Sequence, residues 1–279
     1  MSLIQSVLLG ALQGITEFLP VSSSGHLQVV QHLFNLEEVP LLFDVCLHIS
    51  TLLAVFIFFR KTICGFFAIL YRWIFKKQVS ENKEAVNGLC VTEEAGRKTI
   101  IAVLITTAIT GIMGIVSSKI IPELPVKFVF IGFLITSAFL ILSAVFSKSQ
   151  VQKEYSGITI RQSVIVGIFQ GIGTLPGISR SGSTISSALF SGVNRELAGE
   201  YSFIVSIPAI LGAFVREVKE LDKMNSAIGI LPLVLGCLAS FAVGYFALAV
   251  LMKIIKKGKL EWFAAYLIPA AILGLIFIK

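Results

Sequence analysis

Gln13 and Glu17 stand four residues apart just ahead of Pro20, and the run Ser22-Ser23-Ser24-Gly25-His26 follows. An i, i+4 pair shares one face of a helix, and in an apolar stretch a carboxylate is costly unless it is paired or bound to a cation. Two readings of Glu17 stand. It is a helix-end residue at an interface, or it is a ligand for a hard divalent cation, magnesium or calcium, with Gln13 offering a neutral oxygen beside it. One serine of the run is expected to cap the next helix. The hydroxyls of Ser22, Ser23 and Ser24, free backbone N–H groups and the positive end of a helix dipole also describe an anion site. His26 falls in the first turn, where it acts as acid or base or simply bonds a carbonyl.

A second run, Pro176-Gly177-Ile178-Ser179-Arg180-Ser181-Gly182-Ser183-Thr184, sets one guanidinium among hydroxyls at another helix start. A buried Arg is expensive, and its planar fork suits bidentate contact with phosphate oxygens; Ser179, Ser181 and Thr184 stand ready as further substrate contacts. A salt bridge from Arg180 to Glu17 is the structural alternative, and the two are not exclusive. Carboxylate, imidazole, serine cluster and guanidinium together read as phosphoryl chemistry or phosphate transport. Asp44 and His48, again i and i+4, are secondary candidates that either position His26 or a metal or pack against polar neighbours. Arg195, Glu196 and Glu200 read as an interfacial charge cluster.

The elements that must hold these groups are membrane helices. Hydrophobic residues make up 56% of the 279 and charged residues 14%, with a mean hydropathy of +0.90, well outside the range of soluble domains. Apolar stretches recur along the whole chain, which excludes a lone signal peptide or anchor. Runs such as Phe241 to Met252 lack the polar alternate positions of a β-barrel strand. The net charge of +7 sits in short basic clusters between apolar segments, a positive-inside pattern and not a nucleic-acid surface. Cys46, Cys64, Cys90 and Cys237 show no metal or disulfide spacing and read as packing residues.

Six spans are predicted at Leu41 to Phe59, Thr99 to Val116, Phe128 to Phe146, Tyr201 to Val215, Gly229 to Met252 and Leu260 to Ile278, with Ile63 to Phe75 interfacial. Between Arg60 and Lys98 eight bases face four acids, so this loop is expected in the cytoplasm. Counting onward puts Ser117 to Lys127 outside, and Lys148 to Arg161 and Lys253 to Lys259 inside. Residues 1 to 40 and 162 to 194 are left over as segments that return to the face they entered.

Those two segments superimpose without a gap when the sequence is shifted by 157 residues. Gln5, Ser6, Val7, Gly10, Gln13, Gly14, Ile15, Ser22, Ser24 and Gly25 match Gln162, Ser163, Val164, Gly167, Gln170, Gly171, Ile172, Ser179, Ser181 and Gly182. Three spans separate the copies, and an odd number inverts the second. The reading is therefore one all-α polytopic membrane domain, residues 1–279. Repeat one covers 1–146, with its hairpin at 1–40 and the cytoplasmic loop 60–98, and repeat two covers 162–279, with its hairpin at 162–194. Each copy holds two short helices around a Gly/Pro/Ser break, the pattern of a re-entrant hairpin, and the two are expected to meet near the midplane.

At these residues the chain resembles the integral-membrane undecaprenyl-diphosphate phosphatase family, also known as the bacitracin-resistance family. The segment Gln13 to His26 resembles its first motif, and Pro176 to Ser181 with Thr184 its second; Phe43 to His48 and Ser206 to Ala209 resemble further segments. The resemblance implies a bacterial inner-membrane enzyme that converts undecaprenyl diphosphate to undecaprenyl phosphate, recycling the lipid carrier of cell-wall synthesis, with its site open to the outer face. It further implies that Glu17 and the Gln13 position serve metal and catalysis, Ser23 and His26 the chemistry, and Arg180 the diphosphate. Gln13 stands where many members carry Glu, which weakens any mechanism needing two carboxylates there.

Two functions from different classes follow. The first is a phosphatase assisted by magnesium or calcium, in which Ser23, or a water activated by His26, attacks the terminal phosphorus of a polyprenyl diphosphate. The second is a carrier or flippase for the lipid phosphate, since an inverted repeat with half-helices is transporter architecture. The evenly apolar surface shows no legible interface, and a homodimer is left open.

Overall fold

The computed structural model describes residues 1–34, 36, 41–76, 88–120, 125–146, 156–218 and 228–278. The charged loop segments at 77–87, 121–124 and 147–155 therefore lie outside the described residues. Eleven helices occur among the described residues, and no strand. They are α1 (Leu3–Phe18), α2 (Ser23–Leu33), α3 (Leu41–Phe58), α4 (Arg60–Ile74), α5 (Glu93–Ile120), α6 (Lys127–Phe146), α7 (Ile160–Ile172), α8 (Arg180–Phe190), α9 (Arg195–Val218), α10 (Ile230–Lys257) and α11 (Glu261–Phe277). A three-residue 3-10 turn, Gly88–Cys90, lies between α4 and α5.

The two hairpins begin alike because their sequences do. Ser2 and Gln5 form a reciprocal capping box at the start of α1, and Thr159 and Gln162 form the same box at the start of α7. Leu19, ahead of Pro20, is extended and ends α1. Ser22 then caps α2 by accepting from the Gly25 N–H, and Ser179 caps α8 by accepting from the Gly182 N–H. At 11 residues each, α2 and α8 are about 17 Å long, far short of a bilayer core.

The span count differs from the expectation of six. Four described helices, α5, α6, α9 and α10, are long and apolar enough to cross a membrane, and α3 with α4 makes a fifth only as a pair bent by 75°. The bend falls at Phe59, where the apolar run of α3 gives way to Arg60 and Lys61, so the segment expected to be interfacial is a full helix turned away from α3. The predicted sixth span is α11, whose 17 residues meet only the lower end of the spanning range. The predicted span at Tyr201 to Val215 is longer than expected because α9 begins at Arg195 and takes in Glu196 and Glu200.

Each hairpin packs on the other half of the chain. Helix α1 lies along α10 and α7 along α5, while α3 contacts α10, α9 contacts α5, and α6 pairs with α11. Taken in order, with α4 set aside, these pairings exchange the two halves. Small residues permit the closest crossings: a Cβ on Gly10 would lie 2.2 Å from the Gly236 carbonyl oxygen, and one on Gly14 2.6 Å from that of Ser240. Backbones can approach this closely only where side chains are absent. At the centre runs α9, whose Tyr201 is fully buried and whose Phe203 joins Phe18 and Phe59 in the main core cluster. Hydroxyls on the long helices bond back to their own carbonyls, as Thr107 does to Val103 and Ser137 to Phe133, which lets them sit in an apolar medium.

Candidate active site

The break of each hairpin brings its polar run to the other. At the second break the chain turns through Gly177, at φ +79° and so close to α6 that a Cβ would lie 2.1 Å from the Val129 carbonyl oxygen. Only glycine takes that conformation without strain. The turn aims Ser179 at α6, where its N–H donates to Thr136 Oγ1 at 2.9 Å, and sets Ser181 Oγ donating to the Leu19 carbonyl of the first break at 3.3 Å.

Glu17 is the hub. Its side chain is 2% exposed. Oε1 accepts from the Arg180 guanidinium. Oε2 accepts from Ser23 Oγ at 2.7 Å and from the Gln13 amide at 3.0 Å, and His48 Nε2 lies 3.8 Å away. Residues from α1, α2, α3 and α8 thus converge on one carboxylate. A buried pair missing one partner leaves an uncompensated charge, which costs about 3–5 kcal/mol, so Arg180 and Glu17 hold each other in place. The alternative reading of Arg180 as the salt-bridge partner of Glu17 describes a contact that is present. The guanidinium keeps further N–H donors for an anion.

A pocket opens beside this pair. Its polar lining is Glu17, Arg180, Ser181, Thr184, Ser202 and Ser206, and its apolar lining is Phe18, Phe203 and Ile210. Thr184 shares a hydrogen bond with Ser202 of α9. Ser202 and Ser206 were not among the candidates, although their i, i+4 spacing two residues ahead of Pro208 marks a polar face on an otherwise apolar helix.

Other candidates stand differently from their expected places. Gln13 was expected to offer its oxygen beside Glu17; instead its amide N–H points there, and Oε1 is buried with no hydrogen-bond partner among the described residues. Ser22 is spent as the cap, and Ser24 is exposed. Among the described residues His26 makes no hydrogen bond or ion pair to Glu17. Its Nδ1 lies 2.8 Å from the Ser22 carbonyl oxygen and its Nε2 2.8 Å from Tyr266 Oη on α11. His48 takes the place by Glu17, with Nδ1 donating to the Asp44 carbonyl at 2.9 Å. No group of three His, Cys, Asp or Glu side chains poised for a metal occurs among the described residues.

The charge cluster on α9 divides. Glu196 pairs with Lys256 at 2.7 Å on the surface. Glu200 is a correction: it is buried, accepting from Thr62 Oγ1 at 2.5 Å and from the Leu89 N–H at 3.2 Å. It thereby ties α4 and the Gly88–Cys90 turn to α9.

Comparison with known proteins gives one consistent result. The family model described as bacitracin resistance protein BacA matches residues 6–273. An undecaprenyl-diphosphatase of Treponema denticola is 44% identical over 269 residues, covering 96% of this chain and 95% of that one. One from Methanosphaera stadtmanae is 38% identical, covering 100% and 98%, and one from Desulfatibacillum aliphaticivorans is 40% identical, covering 99% of each.

Proposed function

The chain belongs to the bacitracin resistance protein BacA family, and from that premise we propose that it is a multi-pass membrane phosphatase that removes the terminal phosphate of undecaprenyl diphosphate. The observation that carries the reading is the Ser23 hydroxyl donating to a buried carboxylate that is itself paired with Arg180.

In this mechanism Glu17 takes the proton of Ser23 as its oxygen attacks the terminal phosphorus. The bond from that phosphorus to the bridging oxygen breaks, and undecaprenyl phosphate leaves. Water then frees inorganic phosphate from the serine. A base within hydrogen-bond reach of the proton it removes is the first requirement of such a step. Arg180, with Ser181 and Thr184 beside it, holds the phosphoryl oxygens. His26 is left out of the proton transfer because both its ring nitrogens are engaged elsewhere.

Glu17, Gln13 and Ser23 offer the oxygen donors that a hard divalent cation takes, and the unpartnered Gln13 Oε1 is an acceptor such an ion would satisfy once the amide is turned over. Bound beside the diphosphate, magnesium or calcium would supply positive charge against the phosphate oxygens. The proposal places the enzyme in a bacterial inner membrane with its site facing outward, as the family resemblance implies, and takes the orientation of the loops from their charges. It also takes the two halves as copies, supported by their exchanged packing, and as inverted ones because an odd number of spans is read between them.

Phosphate release by the purified protein in detergent tests the function. Wild-type protein is expected to release one phosphate per undecaprenyl diphosphate, and Ser23→Ala almost none. A folded wild-type protein that releases no phosphate but moves the lipid phosphate across vesicles would return the carrier reading.

A further inference from the structure

The segment that presents Ser23 is strained. Ser22 holds φ +73°, one of two positive values at non-glycine residues among those described, and a side chain rarely adopts it. Such a conformation persists only when its surroundings over-determine it. Here the Ser22 carbonyl oxygen is the point that is held. It accepts from the His26 backbone N–H at 3.2 Å and lies 2.8 Å from His26 Nδ1.

A carbonyl oxygen can only accept, so Nδ1 carries a proton and donates to it. In the neutral ring Nε2 is then an acceptor, and the group facing it at 2.8 Å is Tyr266 Oη, which donates. The ring also stacks on Phe133 of α6, with centroids 4.9 Å apart, and lies near parallel to the Tyr266 ring, 5.7 Å away. Tyr266 thereby fixes both the plane and the tautomer of His26, from a helix in the other half of the chain.

We infer that Tyr266 is a positioning residue for the phosphatase reaction. Acting through His26, it braces the strained Ser22 turn so that Ser23 meets Glu17. On this account His26 is also a positioning residue, and neither touches the reacting phosphorus. The inference rests on the proposed function, since it concerns how that reaction's nucleophile is held.

Side-chain geometry supplies the test. The amide nitrogen of Asn occupies the place of Nδ1, whereas that of Gln occupies the place of Nε2. Steady-state phosphate release from a polyprenyl diphosphate is measured for His26→Asn, His26→Gln and Tyr266→Phe, each checked for folding by its elution in detergent. His26→Asn, which can still donate to the Ser22 carbonyl but gives up the contact with Tyr266, is expected to lose about as much kcat as Tyr266→Phe, and His26→Gln to lose far more. Tyr266→Phe keeps the stacked ring and loses only the hydroxyl; kcat is expected to fall about five- to ten-fold, the worth of one hydrogen bond, with KM little changed. Tyr266→Phe carries the test alone if His26→Gln does not fold. His26→Asn falling as far as His26→Gln, or Tyr266→Phe turning over at the wild-type rate, would overturn the inference. Failure of wild-type protein to release phosphate would instead defeat the functional reading beneath it.

Discussion

Glu17 joins four helices at one carboxylate, and its neighbours divide into those that hold it and those that use it. Glu17→Gln keeps the shape and removes the charge. Because the variant loses the proton acceptor for Ser23, kcat is expected to fall by about two to four orders of magnitude, without recovery on added magnesium or calcium. Near-normal turnover would leave Glu17 a structural partner of Arg180 with no part in the proton transfer. Arg180→Lys separates charge from geometry: a point charge still pairs with Glu17, but the planar fork is gone. Loss of kcat together with kcat/KM is expected, since a group that orients the reacting phosphorus acts in the transition state. A raised KM with kcat unchanged would reduce Arg180 to a ground-state anchor. The metal reading has its own check at Gln13: chelation should stop phosphate release, and Gln13→Ala should raise the cation concentration needed to restore half of it.

Among the elements, the two breaks were legible in sequence and the crossings were not. Pro20 with its serine run, and Pro176-Gly177 with its own, announce two short helices each, because these residues end helices and cap the next. The matching cap residues also reveal the repeat. What sequence could not supply was which helix runs beside which. His48 looked like a secondary candidate because its place beside Glu17 depends on α3 crossing α1, a contact between distant residues. Tyr266 is one aromatic on an apolar helix, indistinguishable by type from a lipid-facing ring. By type and spacing Glu200 groups with Arg195 and Glu196 as an interfacial charge cluster, yet one further turn of α9 buries it beneath the Gly88–Cys90 turn. Glu200→Ala would leave Thr62 and the Leu89 N–H without their acceptor, at a cost of about 1–3 kcal/mol for each group that stays buried. A lower melting temperature in detergent is expected, with turnover per folded molecule preserved at low temperature; an unchanged melting temperature would show that the turn docks without it.

For the whole molecule, the proposed orientation of the loops rests on their charges, and thiol labelling reads it directly. Cys90 is a poor reporter, because burial, with Glu200 and Glu93 nearby, pushes its thiol up to about 12. Its silence towards a reagent would reflect burial as much as topology. Ser118 and Lys257 are both exposed. In intact cells an impermeant reagent is expected to label Ser118→Cys and spare Lys257→Cys, and the reverse pattern would turn the molecule over in the membrane.

The central claim is that the two hairpins, one from each half, build a single catalytic site. A double-mutant cycle on kcat/KM for phosphate release, using Glu17→Gln, Arg180→Lys and the pair together, tests it most directly. Residues that act as one unit are far from additive, so the double variant is expected to be about as impaired as the worse single variant. Losses that simply multiply, with the double variant worse than either by the full product, would mean that Glu17 and Arg180 act independently and that the hairpins do not share one site.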